Sequence, residues 1–149
     1  MTGAMARILM LAAVSAFAVF TIPSVVAQKD LSAASKKDES VYAELAKAPK
    51  KAVARRNPLE SDPEAVAAGA NLFDQHCAEC HGDMAEGSRK APSLVADEVQ
   101  QSTPGTLFWI LTNGVVRRGM PVWSKLPEAQ RWQIVSYLKS LGPGEKSVR

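Results

Sequence analysis

The 149-residue sequence predicts an all-α fold, and three observations support that prediction. Three segments carry apolar residues at the spacing of one helix face. Each segment begins with a proline or a capping residue of the kind that starts a helix. No stretch shows the regular alternation of a strand or a βαβ pattern. A small helical domain is therefore expected.

The three predicted helices follow in chain order. The first is SDPEAVAAGANLFDQHC, in which Ser61 or Asp62 serves as the cap. The second is TPGTLFWILTNG, which begins after the cap Thr103 and ends before Gly114. The third is LPEAQRWQIVSYLKSLG, which starts at Pro127 and ends at a glycine.

The N-terminus has the build of a secretory signal over residues 1–27. A positive charge at Arg7 precedes an apolar run, and small residues surround a cleavage position after Ala27. The alternative is an uncleaved membrane anchor, since residues 8–27 carry no charge and a stretch of roughly 20 apolar residues can span a bilayer. The sequence predicts a periplasmic or otherwise exported protein, or one anchored facing the periplasm.

Charge and composition divide the rest of the chain into two parts. Residues 28–56 hold eight Lys or Arg and four acids, with few large apolar side chains, which predicts a flexible basic linker. Residues 57–149 hold nine basic and eleven acidic side chains and form the predicted compact domain. Because the net positive charge comes from the linker and not from a basic face of the domain, no nucleic-acid partner is expected.

The chemistry-bearing motif is CAECH, formed by Cys77, Cys80 and His81. A thiol–disulfide redox pair is disfavoured because the thioredoxin-like motif needs a βαβ frame. Structural zinc is disfavoured because its four ligands come from separate places, whereas both cysteines and both histidines, His76 and His81, lie in one short run. The remaining alternative, C-x-x-C-H, is the attachment signature of c-type haem.

A haem iron with His81 on one side leaves a second axial position to be filled. Met84 and His76 lie too close to His81 along the chain to reach the opposite haem face. Met120 lies farther on, beside the loop residues Gly119 and Pro121, and is the predicted distal ligand. The alternative for a lone methionine is a core-filling side chain.

Residues 58–141 resemble a class I c-type cytochrome. The resemblance implies a small fold in which the N- and C-terminal helices cross around one covalently bound haem c. Gly69 and Phe73 match the first helix, where a glycine permits the close crossing and an aromatic packs there, and Tyr137 matches the aromatic that meets them.

The same resemblance assigns the haem-binding residues. Pro92, in APSL, matches the proline whose carbonyl accepts a hydrogen bond from the proximal imidazole. Trp123 matches an aromatic that contacts a haem propionate, with core packing as the alternative. The covalent attachment and the two iron ligands fall on Cys77, Cys80, His81 and Met120.

Filled axial positions imply a one-electron carrier and no catalytic residue, so the chain is not expected to be an enzyme in itself. The predicted function is electron transfer by a mono-haem cytochrome in an exported compartment, between respiratory or dehydrogenase partners. The alternatives are a dedicated cytochrome c subunit of a dehydrogenase complex and a ligand-binding or peroxidatic haem protein. Redox proteins are the expected partners, with a monomeric state and a membrane tether through residues 8–27 as further expectations.

Overall fold

The computed structural model describes residues 41–142, and within them the architecture is helical. No β-strand occurs in this range, only one isolated antiparallel bridge between Val115 and Met120. This confirms the all-α prediction. The helices are α1 (Lys50–Val53), α2 (Pro63–His76), α3 (Ala78–His81), α4 (Asp97–Gln100), α5 (Pro104–Asn113) and α6 (Glu128–Ser140), with 3₁₀ turns at Leu45–Lys47 and Val116–Arg118.

The capping residues that predicted two of the helices form the expected hydrogen bonds. The Asp62 carboxylate accepts from the backbone N–H groups of Glu64 and Ala65, at 2.9 and 3.3 Å. The Thr103 hydroxyl accepts from the backbone N–H of Thr106 at 3.2 Å. Both caps satisfy N–H groups that have no partner inside the helix, so they fix where α2 and α5 begin.

Helices α2 and α6 cross at a glycine. A Cβ added at Gly69 would lie 2.0 Å from the carbonyl oxygen of Gln133 and 3.0 Å from the Cβ of Tyr137. The absence of a side chain therefore lets the two backbones touch. One turn along α2, the rings of Phe73 and Tyr137 pack with centroids 5.3 Å apart.

Two apolar clusters flank this crossing. The first consists of the buried residues Phe73, Ala78, Ala85, Leu111, Ile134 and Leu138. The second consists of Val99, Leu107, Phe108, Trp132 and Val135. Helix α6 contributes to both clusters, so its position is set from two sides.

Residues 41–56 differ from the flexible linker expected over 28–56. Tyr42 and Leu45 pack against the second cluster. Ala52 is buried, and its carbonyl oxygen would lie 2.0 Å from a Cβ at Gly105, so α1 rests directly on the start of α5. The few apolar side chains of this segment suffice because a glycine on the opposing helix allows backbone contact.

Arg55 holds the end of this segment to α6. Its guanidinium lies 4.5 Å from the ring centroid of Phe108 and 5.1 Å from that of Trp132. It also pairs with the Glu128 carboxylate at 2.6 Å, and this hydrogen bond lowers the pKa of Glu128. Arg55, which the sequence places in a flexible linker, thus stacks on the aromatic pair formed by Phe108 and Trp132 in the second cluster.

The predicted signal or anchor at 1–27 and the first part of the linker, 28–40, lie outside the described residues, as do 143–149. Within 41–142, no helix combines the length and the apolar character needed to cross a bilayer. The predictions for the N-terminal segment therefore stay predictions.

The helix crossing generates a stability prediction. Gly69→Ala places a methyl group against the Gln133 backbone, which cannot rotate away, so we expect a loss of about 1–3 kcal/mol in the free energy of unfolding. The loss occurs although alanine has the better helix propensity by about 1 kcal/mol. Urea unfolding followed by circular dichroism measures the change.

The matched control is Ala67→Ser, on the exposed face of the same helix. We expect it to change the unfolding free energy by no more than about 0.5 kcal/mol. Equal midpoints for wild type and Gly69→Ala would contradict the close crossing.

Candidate functional site

The two cysteines lie where α2 gives way to a separate helical turn. Cys77 ends α2 with φ of −125°, and the backbone N–H of His81 donates to the Cys77 carbonyl at 3.0 Å. Ala78, between the cysteines, is buried in the first cluster and fixes the turn. Both thiols are free; Cys77 is half-buried and Cys80 is exposed. Burial, and secondarily Cys80, raises the pKa of the Cys77 thiol to about 11.

His81 is oriented by one backbone carbonyl. Its side chain is buried, with 8% exposed, and Nδ1 lies 2.9 Å from the Pro92 carbonyl oxygen. A carbonyl only accepts, so Nδ1 carries the proton and Nε2 keeps the lone pair. Burial lowers the pKa of His81, while the bond to Pro92 acts in the opposite direction. The geometry therefore presents an imidazole whose Nε2 lone pair is not used by the hydrogen bond to Pro92.

The loop that carries Pro92 is held close to His81 by a glycine that the sequence analysis did not single out. Gly87 has φ of +88°, and a Cβ there would lie 2.5 Å from the backbone nitrogen of Ser93. Its N–H donates to the His81 carbonyl at 2.7 Å. The sequence signal is slight, a glycine six residues after the histidine and five before the proline.

Met120 is presented by a second tight loop. Its N–H and C=O both pair with Val115, at 3.2 and 3.0 Å, which closes the 3₁₀ turn between them. Gly114, with φ of +65°, lies so close that a Cβ would be 2.6 Å from the Pro121 carbonyl oxygen. The Met120 side chain packs against the first cluster, as does that of Cys77.

The other residues that the sequence offered for haem binding differ in exposure and in contacts. The side chain of Met84 is 54% exposed, unlike that of Met120. Trp123 packs against the first cluster, and its ring lies 5.2 Å from that of His76. The structure therefore gives Trp123 a packing role, and its contact with a propionate stays a prediction. His76 faces Trp123 and not His81.

The donor set fits a covalently attached haem. Two thiols three residues apart, a neutral imidazole and a half-buried thioether are the groups that c-type haem uses. Among residues 41–142, no group of three or more His, Cys, Asp and Glu side chains is arranged to hold a metal ion by itself.

Comparison with known proteins supports this chemistry. The sequence model of the family described as "Cytochrome C oxidase, cbb3-type, subunit III" matches residues 64–138. A subunit CcoP of the cbb3-type oxidase from Azospirillum sp. (strain B510) is 35% identical over 99 residues, 60% of this chain and 33% of that protein. The cytochrome c550 of Pseudomonas aeruginosa is 33% identical over 90 residues, 58% of this chain and 62% of that protein.

A solved structure is also similar. The crystal structure of cytochrome cL from the marine methylotroph Methylophaga aminisulfidivorans superimposes with a TM-score of 0.51 at 28% identity, covering 57% of this chain and 58% of that one. The chain spans only about a third of the length of the oxidase subunit from Azospirillum. The resemblance therefore covers only part of that oxidase subunit.

Gly87 generates the prediction for this site. Gly87→Ala combines backbone strain of about 1–3 kcal/mol with a clash against the Pro92–Ser93 backbone, and we expect it to destabilise the protein to unfolding by urea. Gly119→Ala is the matched control, because Gly119 has φ of +89° but nothing within 4 Å of a Cβ. We expect Gly87→Ala to be the more destabilising of the two by about 1–3 kcal/mol. Equal losses would show that the contact with Pro92–Ser93 has no energetic weight.

Proposed function

We propose an electron-carrier role for this chain, since it belongs to the c-type cytochrome family whose model is described as cbb3-type oxidase subunit III. Members of that family bind haem c covalently, and the haem carries an iron that exchanges one electron. The observation that carries the proposal is the hydrogen bond from His81 Nδ1 to the Pro92 carbonyl, at 2.9 Å. This bond leaves the Nε2 lone pair available and so supports His81 as an iron ligand.

Four residues of the chain would bind the haem. The Cys77 and Cys80 sulfurs would form the thioether bonds, and their spacing of three residues on one helical turn supports this assignment. His81 Nε2 and the Met120 sulfur would hold the iron from its two sides. Bound in this way, the haem supplies one-electron exchange between the ferric and ferrous states.

A closed site favours a carrier over a catalyst. Met120 lies on a loop whose backbone is held by two hydrogen bonds to Val115 and by contact with Gly114, and its side chain packs against the first cluster. If His81 and Met120 both hold the iron, the haem would have no position open to a substrate or to peroxide. A His/Met pair also raises the reduction potential, which suits exchange with respiratory partners.

We extend the proposal to location and partners. The signal-like residues 1–27 support export, with the protein working in the periplasm or tethered to the membrane through residues 8–27. The chain would act as a monomer. Redox proteins would dock on it briefly, because electron-transfer encounters bury little surface and dissociate quickly.

A second candidate is a dedicated cytochrome subunit of an oxidoreductase complex. Relatives named as cbb3-type oxidase subunits, such as FixP of Bradyrhizobium sp. (strain ORS 278), 39% identical over 86 residues, favour this alternative. Size-exclusion chromatography of gently solubilised native membranes separates the two. Co-migration of the haem with a larger redox complex supports the subunit, and elution at the size of a single chain supports the free carrier.

The electron-carrier proposal predicts a spectroscopic result. The ferric haem-loaded protein should show the weak long-wavelength charge-transfer band of sulfur ligation, and Met120→Ala should abolish it. The reduced wild type should not bind carbon monoxide, whereas reduced Met120→Ala should, because the substitution opens the distal position.

The control is Met84→Ala, which removes the exposed thioether. It should retain the band and exclude carbon monoxide. A wild-type protein that lacks the band and binds carbon monoxide readily would refute the closed site and favour a ligand-binding or peroxidatic haem protein.

A further inference from the structure

Residues 41–56 lie outside the region that matches the family, which begins at residue 64. They are nevertheless tied to the haem-binding loop. The Tyr42 hydroxyl donates to the carbonyl oxygen of Ser93 at 2.8 Å, across 51 residues of sequence. Ser93 directly follows Pro92, whose own carbonyl faces His81.

The backbone at Pro92 and Ser93 belongs to no helix or strand, so contacts from outside determine its orientation. The Leu94 N–H donates to the Ala85 carbonyl at 2.8 Å. The Gln100 side chain donates from Nε2 to the Leu94 carbonyl at 2.7 Å. The Tyr42 hydroxyl acts on the Ser93–Leu94 peptide unit from the side opposite to the Leu94 N–H, and this unit is next to the one that holds His81.

The segment that carries Tyr42 is fixed to the domain at both of its ends. Its ring packs beside Leu45 on the second cluster. At the far end, Arg55 pairs with Glu128 and stacks on the aromatic pair. A segment fixed at two places delivers the hydroxyl to the Ser93 carbonyl with little loss of freedom on bonding.

We propose that Tyr42 is a positioning residue for the proximal histidine. By fixing the Ser93 peptide, it holds the Pro92 carbonyl on His81 Nδ1 and so sets the basicity of the imidazole. The inference rests on the proposed function in that His81 is taken as the iron ligand. A firmer hydrogen bond at Nδ1 makes the imidazole a stronger donor, which favours ferric iron and lowers the reduction potential.

The test compares Tyr42→Phe with wild type in the haem-loaded full chain. Phenylalanine keeps the packed ring and removes only the hydroxyl. We expect solvent exchange of the His81 Nδ1 proton, followed by NMR in the reduced protein, to become roughly two- to tenfold faster, as for the loss of one hydrogen bond. We also expect the reduction potential to shift upwards.

Ser102→Ala is the matched control. Its hydroxyl also donates to a backbone carbonyl, that of Glu98, at 2.8 Å, but away from Pro92. It should change neither the His81 proton exchange nor the potential. An unchanged exchange rate or an unchanged potential in Tyr42→Phe overturns the inference, and so does an equal effect in Ser102→Ala, because that would report a general loosening.

Failure of this inference is distinguishable from failure of the proposed function. If Met120 does not ligate the iron, the wild-type ferric spectrum lacks its charge-transfer band. The exchange ratio of the His81 proton between Tyr42→Phe and wild type still reports the Tyr42 contact, because that contact acts on the proximal side.

Discussion

The contact between the backbones of α2 and α6 at Gly69 is the constraint on which the rest of the structure depends. It sets the position of α2, and α2 ends at Cys77, so the crossing also determines where the cysteine pair begins. It sets the position of α6, which supplies Ile134 to one apolar cluster and Trp132 to the other. A side chain at this one position would therefore push α2 away from α6 and displace the cysteine motif with it.

The sequence predicts those parts of the fold whose causes are local. Asp62 and Thr103 are recognisable as caps because their hydrogen bonds reach only two or three residues along the chain. The packing of residues 41–56 was not predictable in this way. Ala52 is buried only because Gly105, more than fifty residues later, has no side chain, and Arg55 looks like a solvated charge until the rings beneath it are known.

The same distinction applies to the candidate site. The C-x-x-C-H spacing predicts covalent haem attachment directly. The distance from His81 to Met120 along the chain restricts the choice of a distal ligand. Gly87 carries only a slight signal, and Gly114 is recognisable as the end of a helix but not as a close neighbour of the Met120 loop. Their roles depend on which backbone atoms would lie within 3 Å of a Cβ at these positions, and that is a property of the folded chain.

Helices position this site, but an irregular segment supplies its hydrogen-bond acceptor. Carbonyls in the interior of a helix are bonded to an N–H four residues on, whereas His81 needs a carbonyl that is directed at its ring. The Pro92 carbonyl meets this need because its segment is irregular. An irregular segment lacks the regular series of backbone bonds that holds a helix, so separate contacts must fix its orientation. Tyr42 is one such external donor, and this gives a physical reason for residues 41–56 to fold onto the domain.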